Sequence, residues 1–233
     1  MPHRLKEHFP NKPKNQEADN AFEILCSTHA AASSFLQIFE TSRKNRRAKG
    51  TPTDQEQDLL RAMLIFTSSG LDSMVKQLIR DALPRILELD TGAKKLFLDK
   101  MEKKIFDGNL NTRLLLESIE SDSPRSRLVV ELVGDITAGS MQSAEELLRA
   151  AAHFNIASNL LTKNVDYLKQ IFQVRNQIAH EMDIDFKQPN RSRYPRRRDE
   201  MISFTNELFR IGKSFLEEVD NKLILHSCQK LLL

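Results

Sequence analysis

Apolar residues recur at intervals of three and four along nearly the whole 233-residue chain, and that period is the period of an α-helix. Phe22, Leu25, His29, Ala32, Leu36 and Phe39 fall on one helical face. Leu60, Met63, Leu64, Leu71, Met74, Val75, Leu78 and Ile79 form a second stripe. Val165, Leu168, Ile171, Phe172 and Ile178 form a third, and Ile202, Leu208, Phe209, Phe215, Leu216, Val219 and Leu223 a fourth. No stretch alternates with a period of two, and seven glycines are too few for a turn-rich β fold. The expected fold class is all-α, a helical bundle.

Local signals divide that bundle. The basic run Arg43 to Lys49, followed by Gly50 and Pro52, closes the first helix. Thr53 and Glu56 have the spacing of a capping box, each able to satisfy the other's free amide. Pro84 predicts a kink or an end for the second helix. Ser68-Ser69-Gly70, poor helix formers at its centre, predict a close approach by another helix. The middle third reads as an insertion of small helices around Leu96 to Phe106, Leu114 to Ile119 and Arg125 to Val133. In it Ser123 caps Pro124, Gly134 and Gly139 bracket a loop, and Ser143 and Glu146 form a second capping box. Residues 1–17 read as a flexible basic tail, and 18–233 as a single domain.

No apolar run is long enough to span a bilayer, so no membrane partner is expected. Cys26 and Cys228 are far apart and lack paired spacing, which predicts a reducing cytoplasm without a disulfide or thiolate metal site. A net charge of +3 is too small to specify a nucleic-acid partner, but the basic residues cluster. Besides Arg43 to Lys49, Arg191, Arg193, Tyr194, Arg196, Arg197 and Arg198 lie within eight positions. Such a segment raises phosphate affinity and offers one ring for stacking, giving a candidate RNA-binding loop. A solvated linker fits the same residues equally well.

The chain has no phosphate-binding Gly-x-x-x-x-Gly-Lys loop, no Gly-x-Gly-x-x-Gly turn, no His-Glu-x-x-His and no Gly-x-Ser-x-Gly elbow. Its six histidines are scattered, so neither a metal nor a cofactor is expected. His29 reads as a core or interface histidine, and His153 as a cation in the last turn of a helix.

One constellation remains, Arg175-Asn176-Gln177-Ile178-Ala179-His180, followed by Glu181 and Asp183. On a continuous helix Asn176 and His180 share a face, and the long Arg175 side chain can sweep towards it. The segment offers a permanent cation, an amide that donates and accepts, and an imidazole that titrates near neutrality. Metal-free RNA cleavage needs such groups. The 2′-hydroxyl must lose a proton, the leaving 5′-oxygen must gain one, and charge develops on the phosphoryl oxygens. One histidine does not readily serve both faces of an in-line reaction, whereas a homodimer supplies a second.

Val174 to His180 resembles the signature of the HEPN superfamily (higher eukaryotes and prokaryotes nucleotide-binding domain), an Arg followed by a polar residue with a His four to six positions on. Arg61 to Asp72 is similar to an early helix of the RiboL-PSP group of that superfamily. The resemblance implies a dimeric helical bundle with both motifs facing one cleft. It also implies metal-independent endoribonuclease activity in a toxin–antitoxin or antiphage setting, with an antitoxin as a protein partner. Arg175 would stabilise the scissile phosphate, Asn176 would position it, and His180 would be the acid or base. Glu181 stands where related sequences often have a small residue. Ser69, Asp72 and Glu181 are expected to border the site. The alternative is a non-catalytic dimerisation, RNA-binding or regulatory module in which Arg175 and His180 only bridge helices.

Overall fold

A computed structural model describes residues 5, 12–47, 50–108 and 112–229, without the side chains of residues 114 and 226–229. The rest of the expected N-terminal tail, Ala48, Lys49, and the side chains of Leu114, His226 and Cys228 lie outside the described residues.

Ten α-helices and no strand occur among the described residues, so the chain is all-α. Helix α1 spans Asp19–Asn45, α2 Asp54–Asp81, α9 Val165–Glu181 and α10 Arg198–Gln229. Between the long helices lie α3 Leu83–Leu89, α4 Thr91–Phe106, α5 Thr112–Ile119, α6 Pro124–Ala138, α7 Ala144–His153 and α8 Ser158–Leu161. The most extensive packing is between α1 and α2, and α10 lies along α2. Helix α9 also docks on α2, which makes α2 the element that the candidate site is built on. The small helices form no second core. Phe97, Met101, Leu132, Leu147 and Ala151 join the same buried cluster as Leu60, Leu64 and Phe215. None of the helices is long and apolar enough to cross a membrane, among the described residues.

The local signals explain most boundaries. Thr53 accepts the Glu56 amide while Glu56 accepts the Thr53 amide at 2.9 Å, a complete capping box. Glu56 is also buried, and Arg46 and Arg43 donate to its carboxylate. The first basic run is therefore partly committed to an internal acid. Helix α2 stops at Asp81, and Pro84 sits in the first turn of α3, where its missing amide costs nothing. Ser143 caps α7 by accepting the Glu146 amide at 3.1 Å.

Gly70 marks the close approach. A Cβ there would lie 2.7 Å from the Cβ of Thr28 on α1, so a methyl group must force the two longest-packed helices apart. Gly70→Ala is expected to destabilise the chain by about 1–3 kcal/mol despite alanine's better helix propensity, as read by thermal unfolding.

Two expectations need correction. Gly134 does not open a loop: α6 runs through it to Ala138, and only Gly139 ends the helix. A Cβ at Gly134 would point into open space, and the helix continues through the position without a turn. The segment before α1 is not a free tail from residue 12 onward. The amides of Lys14 and Asn15 donate to Asp220 of α10 at 3.1 Å, and Leu5 is buried in the core. An aspartate more than two hundred residues downstream supplies that tether.

Candidate functional site

Helix α9 starts where Asn164 accepts the Tyr167 amide at 2.9 Å. Leu168, Ile171, Phe172, Val174 and Ile178 face the core. Their burial turns Asn176 and His180 outward on adjacent turns. Arg175 sits at the border, partly buried, and its Nη1 donates to Asn176 Oδ1 at 2.9 Å. The Arg175 Nε is buried and has no acceptor. Burial pushes its guanidinium below the ordinary arginine pKa, and the nearby Asp72 carboxylate pulls the other way. A donor held without an acceptor is what an incoming anion would satisfy.

The bordering residues separate. Asp72 lies in the field of Arg175 and also accepts the Met141 amide at 2.6 Å, tying α2 to the link before α7. Ser69 lines a groove between α1 and α2 with Ile24, Thr28 and Phe66, and none of the motif residues forms its walls. Glu181 belongs to a different groove, of about 350 Å³, running between α9 and the start of α7. Asn176, Gln173 and Gln177 line that groove opposite Ser143 and Glu145. Among the described residues, no group of three His, Cys, Asp or Glu side chains could hold a metal ion.

The helix end is unusual. Met182 and Asp183 both adopt left-handed backbone, with φ of 51° and 62°. Non-glycine residues pay for that conformation, so neighbouring contacts must enforce it. The Met182 and Asp183 amides turn back to the Gln177 carbonyl, closing the helix without a glycine. The Asp183 side chain is fully buried. Its Oδ2 accepts Arg61 Nε at 2.7 Å and Arg196 Nε at 2.8 Å, and Arg196 Nη2 donates to Oδ1. Arg61 Nη2 also reaches the Tyr194 carbonyl at 2.8 Å, while Arg196 Nη2 reaches Gln177 Oε1 at 3.1 Å.

This cluster takes up part of the expected RNA-binding loop. Arg196 is 7% exposed and faces inward. Arg193 pairs with Asp58 at 2.6 Å and donates to the Met182 carbonyl, and Arg198 pairs with Glu40 at 2.5 Å. Tyr194 is no free stacking ring: its hydroxyl donates to Asp185 at 3.1 Å and the Arg196 guanidinium lies 5.6 Å from its centroid. Arg191 and Arg197 are exposed and form no ion pair among the described residues. Sequence reasoning missed Arg61 as a partner, although Gln57, Leu60, Arg61 and Leu64 occupy one stripe of α2. A cation on a core-facing stripe calls for a buried acid.

His29 is buried edge-on to Phe209, with centroids 4.9 Å apart, as a core histidine would be. His153 is not the expected cation. Burial, with Lys100 and Arg149 nearby, pushes its pKa down to about 4, so it is neutral near pH 7. Comparison with family models, with curated proteins and with solved structures gives no match.

Proposed function

We propose that the chain is a metal-independent endoribonuclease of the HEPN type, acting on single-stranded RNA or tRNA loops. One observation carries the reading: Asn176 and His180 project outward on adjacent turns, with Arg175 hydrogen-bonded to Asn176 and keeping an unpartnered buried Nε. His180 takes the proton from the 2′-hydroxyl or gives one to the leaving 5′-oxygen. Arg175 stabilises the charge on the phosphoryl oxygens, and Asn176 holds the phosphate or its neighbour. Attack by the 2′-oxygen forms the bond to phosphorus as the P–O5′ bond breaks, leaving a 2′,3′-cyclic phosphate. A homodimer supplies the second His180, and an antitoxin is the partner that a toxin setting would require.

Purified protein in EDTA is expected to cleave RNA, to leave cyclic phosphate ends and to spare DNA, which lacks the attacking hydroxyl. His180→Ala should reduce cleavage by at least about 100-fold. It should leave the melting temperature near wild type, because the His180 side chain is exposed. If wild-type protein never cleaves RNA and His180→Ala weakens self-association instead, the proposal fails and the motif belongs to a non-catalytic module.

A further inference from the structure

We propose that Asp183, held between Arg61 and Arg196, is a positioning residue for His180. The inference rests on the reading of His180 as acid or base. The His180 side chain makes no hydrogen bond among the described residues, so its placement follows the backbone of the last turn of α9. That turn is fixed on both sides of it. Three residues before, Gln177 accepts the Met182 and Asp183 amides at its carbonyl and Arg196 Nη2 at its side chain. Three residues after, Asp183 is buried and bound by both guanidinium groups, and its carbonyl accepts the Tyr194 amide at 2.8 Å.

Between these anchors the chain holds two consecutive left-handed residues that are not glycine. A flexible end would relax to a cheaper conformation. Only an over-determined one keeps such backbone, and this one lies two residues from the proposed acid–base group. The Arg193 bond to the Met182 carbonyl and the bridge between Ile184 and Arg193 close the loop behind it. Apolar packing could stabilise this end of the helix. Directional bonds from two guanidinium groups also set its rotation, and proton transfer depends on that angle.

Arg61→Lys tests the idea with the charge kept. A single ammonium cannot reach both Asp183 and the Tyr194 carbonyl in place of the guanidinium fork. The expected result is a fall in kcat of about 10- to 100-fold with KM within about twofold. Faster exchange of the 181–184 amides and an altered NMR signal from the His180 ring should accompany it. Lys222→Ala, which breaks the 2.6 Å pair with Asp90 between α10 and the start of α4, serves as a control for general loss of stability. If Arg61→Lys behaves like that control, with kcat and the His180 signal at wild-type values, the inference is overturned. If wild-type protein cleaves no RNA, the proposed function fails, and the His180 signal and amide exchange alone decide the positioning role. Should Arg61→Lys fail to fold, Gln177→Ala removes only the Arg196 side-chain contact on α9. Unchanged exchange and an unchanged His180 signal in that variant would equally overturn the inference.

Discussion

Asp183→Ala is expected to cost the fold about 3–5 kcal/mol, the range for removing one partner from a buried ionic cluster. The carboxylate is fully buried, while Arg61 and Arg196 are 2% and 7% exposed. Removing it therefore leaves Arg196 out of water without its counter-ion, and Arg61 with only the half-exposed Asp58, 3.1 Å from its Nη1. The two backbone residues at positive φ also lose the contacts that enforce them. Surface pairs such as Arg113–Glu117, where Arg113 is 85% exposed, should by comparison contribute about 0–1 kcal/mol. Denaturant unfolding at constant pH measures the loss. The double variant Arg61→Ala, Asp183→Ala should cost clearly less than the sum of the two single losses, because the charges are coupled. Losses that add within about 0.5 kcal/mol would show that Arg61 is not held by Asp183.

The elements legible in the sequence are those whose cause is local. The three-and-four spacing, the Thr53–Glu56 box and Pro84 each act within a turn or two, and each gives the boundary observed. The outward pairing of Asn176 and His180 also follows from spacing, since the buried stripe of α9 settles which face remains. What stayed hidden depends on partners far along the chain. Arg61 and Asp183 are 122 residues apart, and nothing near Arg196 in sequence reveals that it turns inward instead of facing an RNA. A run of arginines reports how many cations there are, not how many remain free. The cap at Met182 is hidden for a related reason. Glycine usually announces a left-handed helix end, and here tertiary bonds impose one on a residue that resists it. Gly134 shows the converse: glycine in an exposed helix lowers stability without ending the helix.

Stability is also expected to fall as pH drops from about 6.5 towards 4, because of His153. Burial first, then the positive charges of Lys100 on α4 and Arg149 on α7, depress its pKa from 6.5 to about 4. Asp135 of α6 is the acid on that side, and Lys104 pairs with it. The unfolded chain therefore binds a proton at this residue before the folded chain does. The stabilisation is complete above about pH 6.5 and is lost as pH falls towards the folded value. The full gap corresponds to roughly 3 kcal/mol, and partial solvent contact of the ring reduces it to about 1–2 kcal/mol. Glu56 and Asp90 act in a lower window. Burial pushes their pKa values up, but hydrogen bonds from Arg46 and from Lys222 outweigh it and leave both below the ordinary carboxylate values of 4.5 and 3.8. Their contribution is present above those values and is lost only as pH falls further, so it leaves the range between about pH 5 and 6.5 to His153. Melting temperatures of wild type and His153→Phe at about pH 7.5, 6 and 5 separate the two windows. The wild-type values should fall across that range while those of His153→Phe stay nearly level. Parallel slopes would mean that His153 takes up its proton in the folded chain as readily as in the unfolded one.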